Sequence, residues 1–152
     1  MPRPGPGEWL RDEIAELANL RVTTLVSLLQ ESEQRELSLT EEADIAAQYN
    51  IEFVSFPIED RTTPGDLDGF IALIDALAER VLNGQGVAIH CRAGIGRSGI
   101  TAAAVLVRIG FEPDKVFAQI SAARRHQVPD TYEQIAWFER HHAEFVAQPR
   151  SI

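Results

Sequence analysis

The chain has 152 residues, 45% of them hydrophobic, with one cysteine and a formal charge of −9 at neutral pH. That length and composition fit one domain with a real core and exclude a disordered chain. The acidic balance argues against general nucleic-acid binding, and a single cysteine excludes an internal disulfide framework and fits a reducing compartment, so a cytoplasmic location is expected.

No apolar run approaches the ~18 residues of a membrane span. Residues 1–7, MPRPGPG, have no apolar segment behind them of the kind a signal peptide needs, and read as a flexible lead-in to a single domain over 8–148. Apolar residues at Trp9, Leu10, Ile14, Leu17 and Leu20 predict an amphipathic helix over 8–20. The β-branched and apolar run over 22–29 predicts a buried strand, and the charged stretch over 30–35 a loop. Ser38-Leu39-Thr40-Glu41 has capping-box form and predicts a helix through about Tyr49. Alternation over 51–56 predicts a strand that Pro57 stops, followed by a polar loop over 57–64 and a helix over 66–82. Val87-Ala88-Ile89 predicts a third buried strand, and the run over 100–109 a buried helix ending at Gly110. Pro113 opens a further helix through Arg125, and Asp130-Thr131-Tyr132-Glu133, as a second capping box, opens a last one towards Ala147.

Strand and helix signals alternate, so the fold class is α/β: a mainly parallel central sheet, expected to hold four to five strands, with helices on both faces. Nothing in the chain marks a repeat, a linker or a second domain.

The stretch that joins the third strand to its helix carries the chemistry. His90-Cys91-Arg92-Ala93-Gly94-Ile95-Gly96-Arg97-Ser98-Gly99 is a glycine-bearing loop between a strand end and a helix N-terminus. Free backbone N–H groups and the helix dipole make such a loop an anion site. Gly94, Gly96 and Gly99 also spell the dinucleotide fingerprint, but Gln119 stands where that fingerprint needs an acidic residue, and no strand follows the helix. A nucleotide P-loop is excluded because the loop holds no lysine. A buried Cys in a tight turn without chemistry is the bland alternative. It fails on the combination: Cys91 at the strand end, Arg97 placed to fork onto the same anion, and Ser98 with a hydroxyl for a thiolate. With 14 basic residues against 23 acidic ones, a phosphate site has to be locally positive; the candidates are Arg61, Arg92, Arg97, Arg124 and Arg125.

Cys, five residues, Arg and Ser, preceded by His, resembles the signature of the cysteine-dependent protein tyrosine phosphatases, and the chain length is similar to their compact dual-specificity branch. The resemblance implies a phosphate monoester hydrolase working through a phosphocysteine, without metal or other cofactor. Its nucleophile is Cys91. The phosphate loop is Arg92, Ala93, Gly94, Ile95, Gly96 and Arg97, and Ser98 eases departure of the thiolate.

Such an enzyme needs a carboxylic acid for the leaving oxygen. The loop over 57–64 follows a strand end, as the signature does, and in an open α/β sheet the crevice lies at the carboxyl ends of the strands. Asp60 is the choice there, with Glu59 and Asp66 as runners-up. It stands 31 positions before Cys91, similar to the spacing in dual-specificity phosphatases, and Pro-Ile-x-Asp resembles the acid loop of the cyclin-dependent-kinase-associated phosphatases. The family also implies a glutamine that orients the hydrolytic water; Gln134 is the candidate, and a solvent-facing helix Gln is the alternative.

His90 is read as fixing the loop by hydrogen bonds rather than moving protons. Arg124 and Arg125 are read as a charged helix end, with a second anion contact as the alternative. Adjacent His141 and His142 face different ways on a helix and are discounted as metal ligands.

The expected substrate is a phosphorylated protein or peptide bound by a monomer. No segment resembles the phosphotyrosine loop of the larger tyrosine-specific enzymes, which favours a shallow pocket that also admits phosphoserine and phosphothreonine. A phosphoinositide or other small phosphate ester is second choice, because inositide phosphatases of this superfamily often carry Lys inside the loop. A non-catalytic phosphate-binding module is the alternative of a different class.

Overall fold

The structure, a computed structural model, describes residues 1–147; the expected domain end at 148 lies outside the described residues. The elements in chain order are α1 (Glu8–Asn19), β1 (Val22–Ser27), α2 (Glu31–Glu36), α3 (Glu42–Gln48), β2 (Glu52–Ser55), α4 (Leu67–Leu82), β3 (Gly86–His90), α5 (Arg97–Arg108), α6 (Val116–Arg124) and α7 (Tyr132–Phe145). The sheet is parallel throughout, in the order β2-β1-β3. Four to five strands were the expectation from the alternation; three form among the described residues. Residues 30–49, between β1 and β2, are taken up by two short helices and turns.

Period-two burial sorts the strands onto two cores. Leu25 is in register with Phe53 and Ala88 on one face, where α1 and α3 pack with Leu10, Ile14 and Ile45. Val26 is in register with Val54 and Ile89 on the other, beneath α4, α5 and α7. Helix α5 is the spine of that side, its buried Ile100, Ala103, Ala104 and Val107 facing α4, α6 and α7. Small alanines let the neighbouring helices approach. Phe70 of α4 closes the layer, edge-on to Trp137 at 5.5 Å and to Phe145 at 5.7 Å.

The register also fixes where function is possible. Ser27 pairs with both Ser55 and His90, so the carboxyl ends of all three strands stand level. Backbone bonds carry the alignment past the strands: Leu28 N–H donates to His90 O, Phe56 N–H to Ser27 O, and Ile58 N–H to Leu28 O, each at 2.9–3.0 Å. Three connections therefore leave the sheet at one rim: residues 28–33, residues 56–64 and the signature loop.

Two capping signals lie elsewhere than expected. Glu31–Glu36 form α2 where a loop over 30–35 was expected, with Gln30 as N-cap and a capping box between Gln30 and Glu33. Glu41 precedes α3 without a side-chain cap, and Ser38 takes a positive φ of 57°. The box of α7 is shifted by one, with Thr131 as N-cap and Gln134 at the third helical position. The lead-in at residues 1–7 runs along the signature loop: the Met1 amine donates to Ile89 O at 2.7 Å and Arg3 N–H to Arg92 O at 3.2 Å.

Candidate active site

Cys91 follows β3 directly, and its side chain is at the floor of a cavity of about 220 Å³ lined by Asp60, Arg61, Ala93, Ile95, Gly96, Arg97, Asp130 and Gln134. Only 3% of the residue is exposed. Gly94 N–H donates to Sγ at 3.3 Å, and Ser98 Oγ lies 3.3 Å from Sγ on the other side. The thiol donates in that second contact; a thiolate accepts. Gly94 sits at φ +75°, where an L side chain is strained, and a Cβ there would meet the Met1–Pro2 peptide at 2.3 Å. Gly96 is needed for a different reason. A Cβ on it would fall 2.8 Å from the Gln134 amide.

Arg97, the first residue of α5, is 1% exposed. Its two terminal nitrogens both face Glu33: Nη1 donates to Oε2 at 2.7 Å and Nη2 to Oε1 at 2.9 Å. Nη1 also donates to Ile58 O at 2.8 Å, and Nη2 to Asp60 Oδ1 at 2.9 Å. All four Nη hydrogens are thus assigned within the protein. Burial opposes the charge on Arg97, but the hydrogen bonds and charge of Glu33 outweigh it, with Cys91 and Asp60 adding, and its pKa lies above the ordinary value. For Glu33, burial pushes the carboxyl up. Hydrogen bonds from Arg97 and from the Gln30 amide, and the charges of Arg97 and Arg92, more than reverse this, holding it below its usual range.

Asp60 lies beside Arg97 on the connection after β2, with a side chain 51% exposed. The runners-up are elsewhere. Glu59 is exposed, and Asp66 is the N-cap of α4, accepting from Gly69 N–H at 2.9 Å. Gln134 is buried, not solvent-facing. Its Oε1 accepts from the N–H groups of Asp130 and Thr131, and its Nε2 donates to Thr62 O at 3.1 Å, tying α7 to the acid loop. Arg61 adds a second tie, 3.0 Å from Asp130.

His90 is fully buried, with Nδ1 3.2 Å from Cys91 O and Nε2 2.5 Å from Glu42 Oε1. Arg92 at the rim is paired with Glu36 at 3.1 Å. Arg124 is not a bare helix end: Nη1 donates to Gly94 O at 2.6 Å and braces the loop from behind. Arg125 caps α6 with φ 52°. His141 contacts Glu144 at 3.3 Å, away from the site.

Sequence reasoning misses Glu33 and Glu42. Both lie in stretches where charged residues are ordinarily solvated, and only the capping of Glu33 onto Gln30 N–H leaves a local trace, the Gln-x-x-Glu spacing.

The family model described as "Polymorphic toxin system, DSP-PTPase phosphatase" matches residues 1–111, which include the acid loop and the whole signature. Among solved structures, kinase associated phosphatase with its catalytic cysteine changed to serine superposes with a TM-score of 0.85 at 19% identity, over 97% of this chain and 86% of that one. Tk-PTP in its active form gives 0.74 at 26% identity, over 94% and 88%. A tyrosine phosphatase from Leishmania major gives 0.68 at 27%, over 91% and 83%. No curated protein matches the chain in sequence. A fold shared over nine-tenths of its length, and a family match spanning strand ends, acid loop and signature, lead to one statement: the chain belongs to the DSP-PTPase phosphatase family.

Proposed function

We propose that the protein hydrolyses phosphate monoesters through a phosphocysteine on Cys91, acting on phosphotyrosine and also on phosphoserine or phosphothreonine in proteins. The observation that carries this reading is the convergence on Cys91 Sγ: a loop amide and a hydroxyl at 3.3 Å, with Arg97 and Asp60 lining the same cavity.

The thiolate attacks phosphorus, and the amides over residues 92–97 receive the equatorial oxygens together with Arg97. Glu33 holds the Arg97 fork from behind, so only the edge now turned to Asp60 is offered to the substrate. Phosphate entering the cavity takes over the Nη2 hydrogen from Asp60. The freed carboxyl protonates the leaving oxygen and later removes a proton from the attacking water. Ser98 donates to the thiolate as it departs. Gln134 keeps one amide hydrogen beyond the one given to Thr62 O, and offers it to that water. No step in this scheme runs through a metal ion.

The protein substrate is favoured by the rim. Arg61 and Arg92 are each paired with a carboxylate, which leaves little surplus positive charge for a polyphosphorylated head group. A broader cleft of about 530 Å³ continues from the cavity past Arg61, Ile95 and Asp130 to His126 and Tyr132, room for residues flanking the phosphorylated one.

The test is hydrolysis of p-nitrophenyl phosphate with chelator present, followed by phosphopeptides and phosphoinositides. Turnover lost in Cys91→Ser and strongly reduced in Asp60→Asn is expected. Stoichiometric phosphopeptide binding without turnover would instead establish a binding module.

A further inference from the structure

The pair formed by His90 and Glu42 has no part in the scheme above, yet it is the most completely buried ionisable pair near Cys91, with side chains 0% and 1% exposed. Both ring nitrogens face acceptors. Nδ1 is 3.2 Å from the Cys91 carbonyl, which has no proton to give, so Nδ1 is the donor there. Nε2 is 2.5 Å from Glu42 Oε1, and that contact needs one proton between the two atoms, whichever of them carries it. The remaining oxygen, Glu42 Oε2, is buried without a hydrogen-bond partner. Among the described residues the carboxyl is thus not held by a network of its own; its one hydrogen-bond partner there is the histidine. It reaches that position from the first turn of α3, across 48 residues of sequence.

We propose that Glu42 is a positioning residue for Cys91, acting through His90. Its carboxyl supplies the partner that fixes the imidazole with Nδ1–H directed at the Cys91 carbonyl. A planar trans peptide points its N–H opposite to its C=O. Holding that carbonyl towards the buried ring therefore turns the Arg92 N–H, the first amide of the phosphate loop, the other way. Orientation of a histidine by a carboxylate on its far nitrogen is a general device. Without Glu42, Nε2 is buried with no partner, a state that favours any rotation or tautomer that relieves it.

The inference rests on Cys91 being the nucleophile, and its test separates the two. In Glu42→Leu, kcat on p-nitrophenyl phosphate should fall about tenfold or more, with KM changed by less than about threefold. Glu42→Gln, whose amide donates to Nε2 and keeps the proton on Nδ1, should stay within about threefold of wild type. Because Glu42 acts through His90, Glu42→Leu made in His90→Ala should lower kcat no further. Independent of turnover, ¹⁵N spectra of the imidazole in wild type and Glu42→Gln should show His90 Nδ1 protonated. An unprotonated Nδ1 in wild type overturns the proposal even if no leucine variant folds. So do wild-type kcat in folded Glu42→Leu, losses that multiply in the double variant, or a Glu42→Gln enzyme as slow as Glu42→Leu. A wild-type protein without turnover fails the phosphatase reading and leaves the nitrogen spectrum to decide this one.

Discussion

The floor and the rim of the cavity are built by different means. The floor is made of groups the protein has buried and paired: Cys91, Ser98, Arg97 against Glu33, and His90 against Glu42. The rim is made of exposed groups joined by side-chain contacts, with Asp60 half in solvent on Arg97 and Arg61 on Asp130. A buried ion pair is rigid because breaking it strands a charge in low dielectric. An exposed one exchanges readily with water and with ligand. On the proposed mechanism, the phosphate cradle is therefore set before substrate arrives, and Asp60 is the part free to rearrange when it does.

Changes that sharpen this contrast run from the nucleophile outward. Cys91→Ser should lower p-nitrophenyl phosphate turnover by more than about 10⁴-fold, with the thermal midpoint little changed. Asp60→Asn should lower kcat by about 10²–10⁴-fold, again with small effect on the midpoint, since the pair it breaks is half exposed. Glu33→Ala acts on the floor and should reverse that pattern. It leaves the buried guanidinium with the Leu28 and Ile58 carbonyls and the half-exposed Asp60, a loss of about 3–5 kcal/mol, seen by calorimetry as a midpoint lowered by about 10 °C.

The same residue gives the pH dependence a sign. The folded-state pKa of Glu33 lies below its ordinary 4.5, so the stability it contributes is fully present above that value. It is lost as pH falls through the folded-state value. Urea unfolding of wild type beside Glu33→Ala should show the gap between them closing on acidification and constant at neutral pH. Arg61→Ala is the smallest change. Removing an exposed pair should alter stability by at most about 1 kcal/mol and kcat by no more than about fivefold. A large loss there would mean that the rim is as fixed as the floor.

The parts of this arrangement that were legible in the sequence are those that local physics writes locally. Period-two alternation over 51–56 and the apolar runs before Gln30 and His90 locate the three strands, and the signature loop and Asp60 follow from where those strands end. The helices over 8–20, 66–82 and 100–109 are plain from spacing, and the last of them from its stop at Gly110. What stayed hidden depends on contacts between distant residues. Glu33 and Glu42 look like solvated charges until Arg97 and His90, 64 and 48 residues away, are brought against them. Gln134 reads equally as a surface residue until its cap on Asp130 and Thr131 is seen. Sheet size was overestimated: the sequence marks three strand runs, and those three are the strands that form among the described residues.

The central claim is the covalent one, and trapping tests it most directly. Enzyme mixed with p-nitrophenyl phosphate in the presence of chelator, quenched in acid and digested, should yield a phosphorylated peptide containing Cys91 by mass spectrometry, and Cys91→Ser should yield none. Chelator-resistant turnover with the Cys91 peptide unmodified at every quench time, and undiminished in Cys91→Ser, would contradict the account.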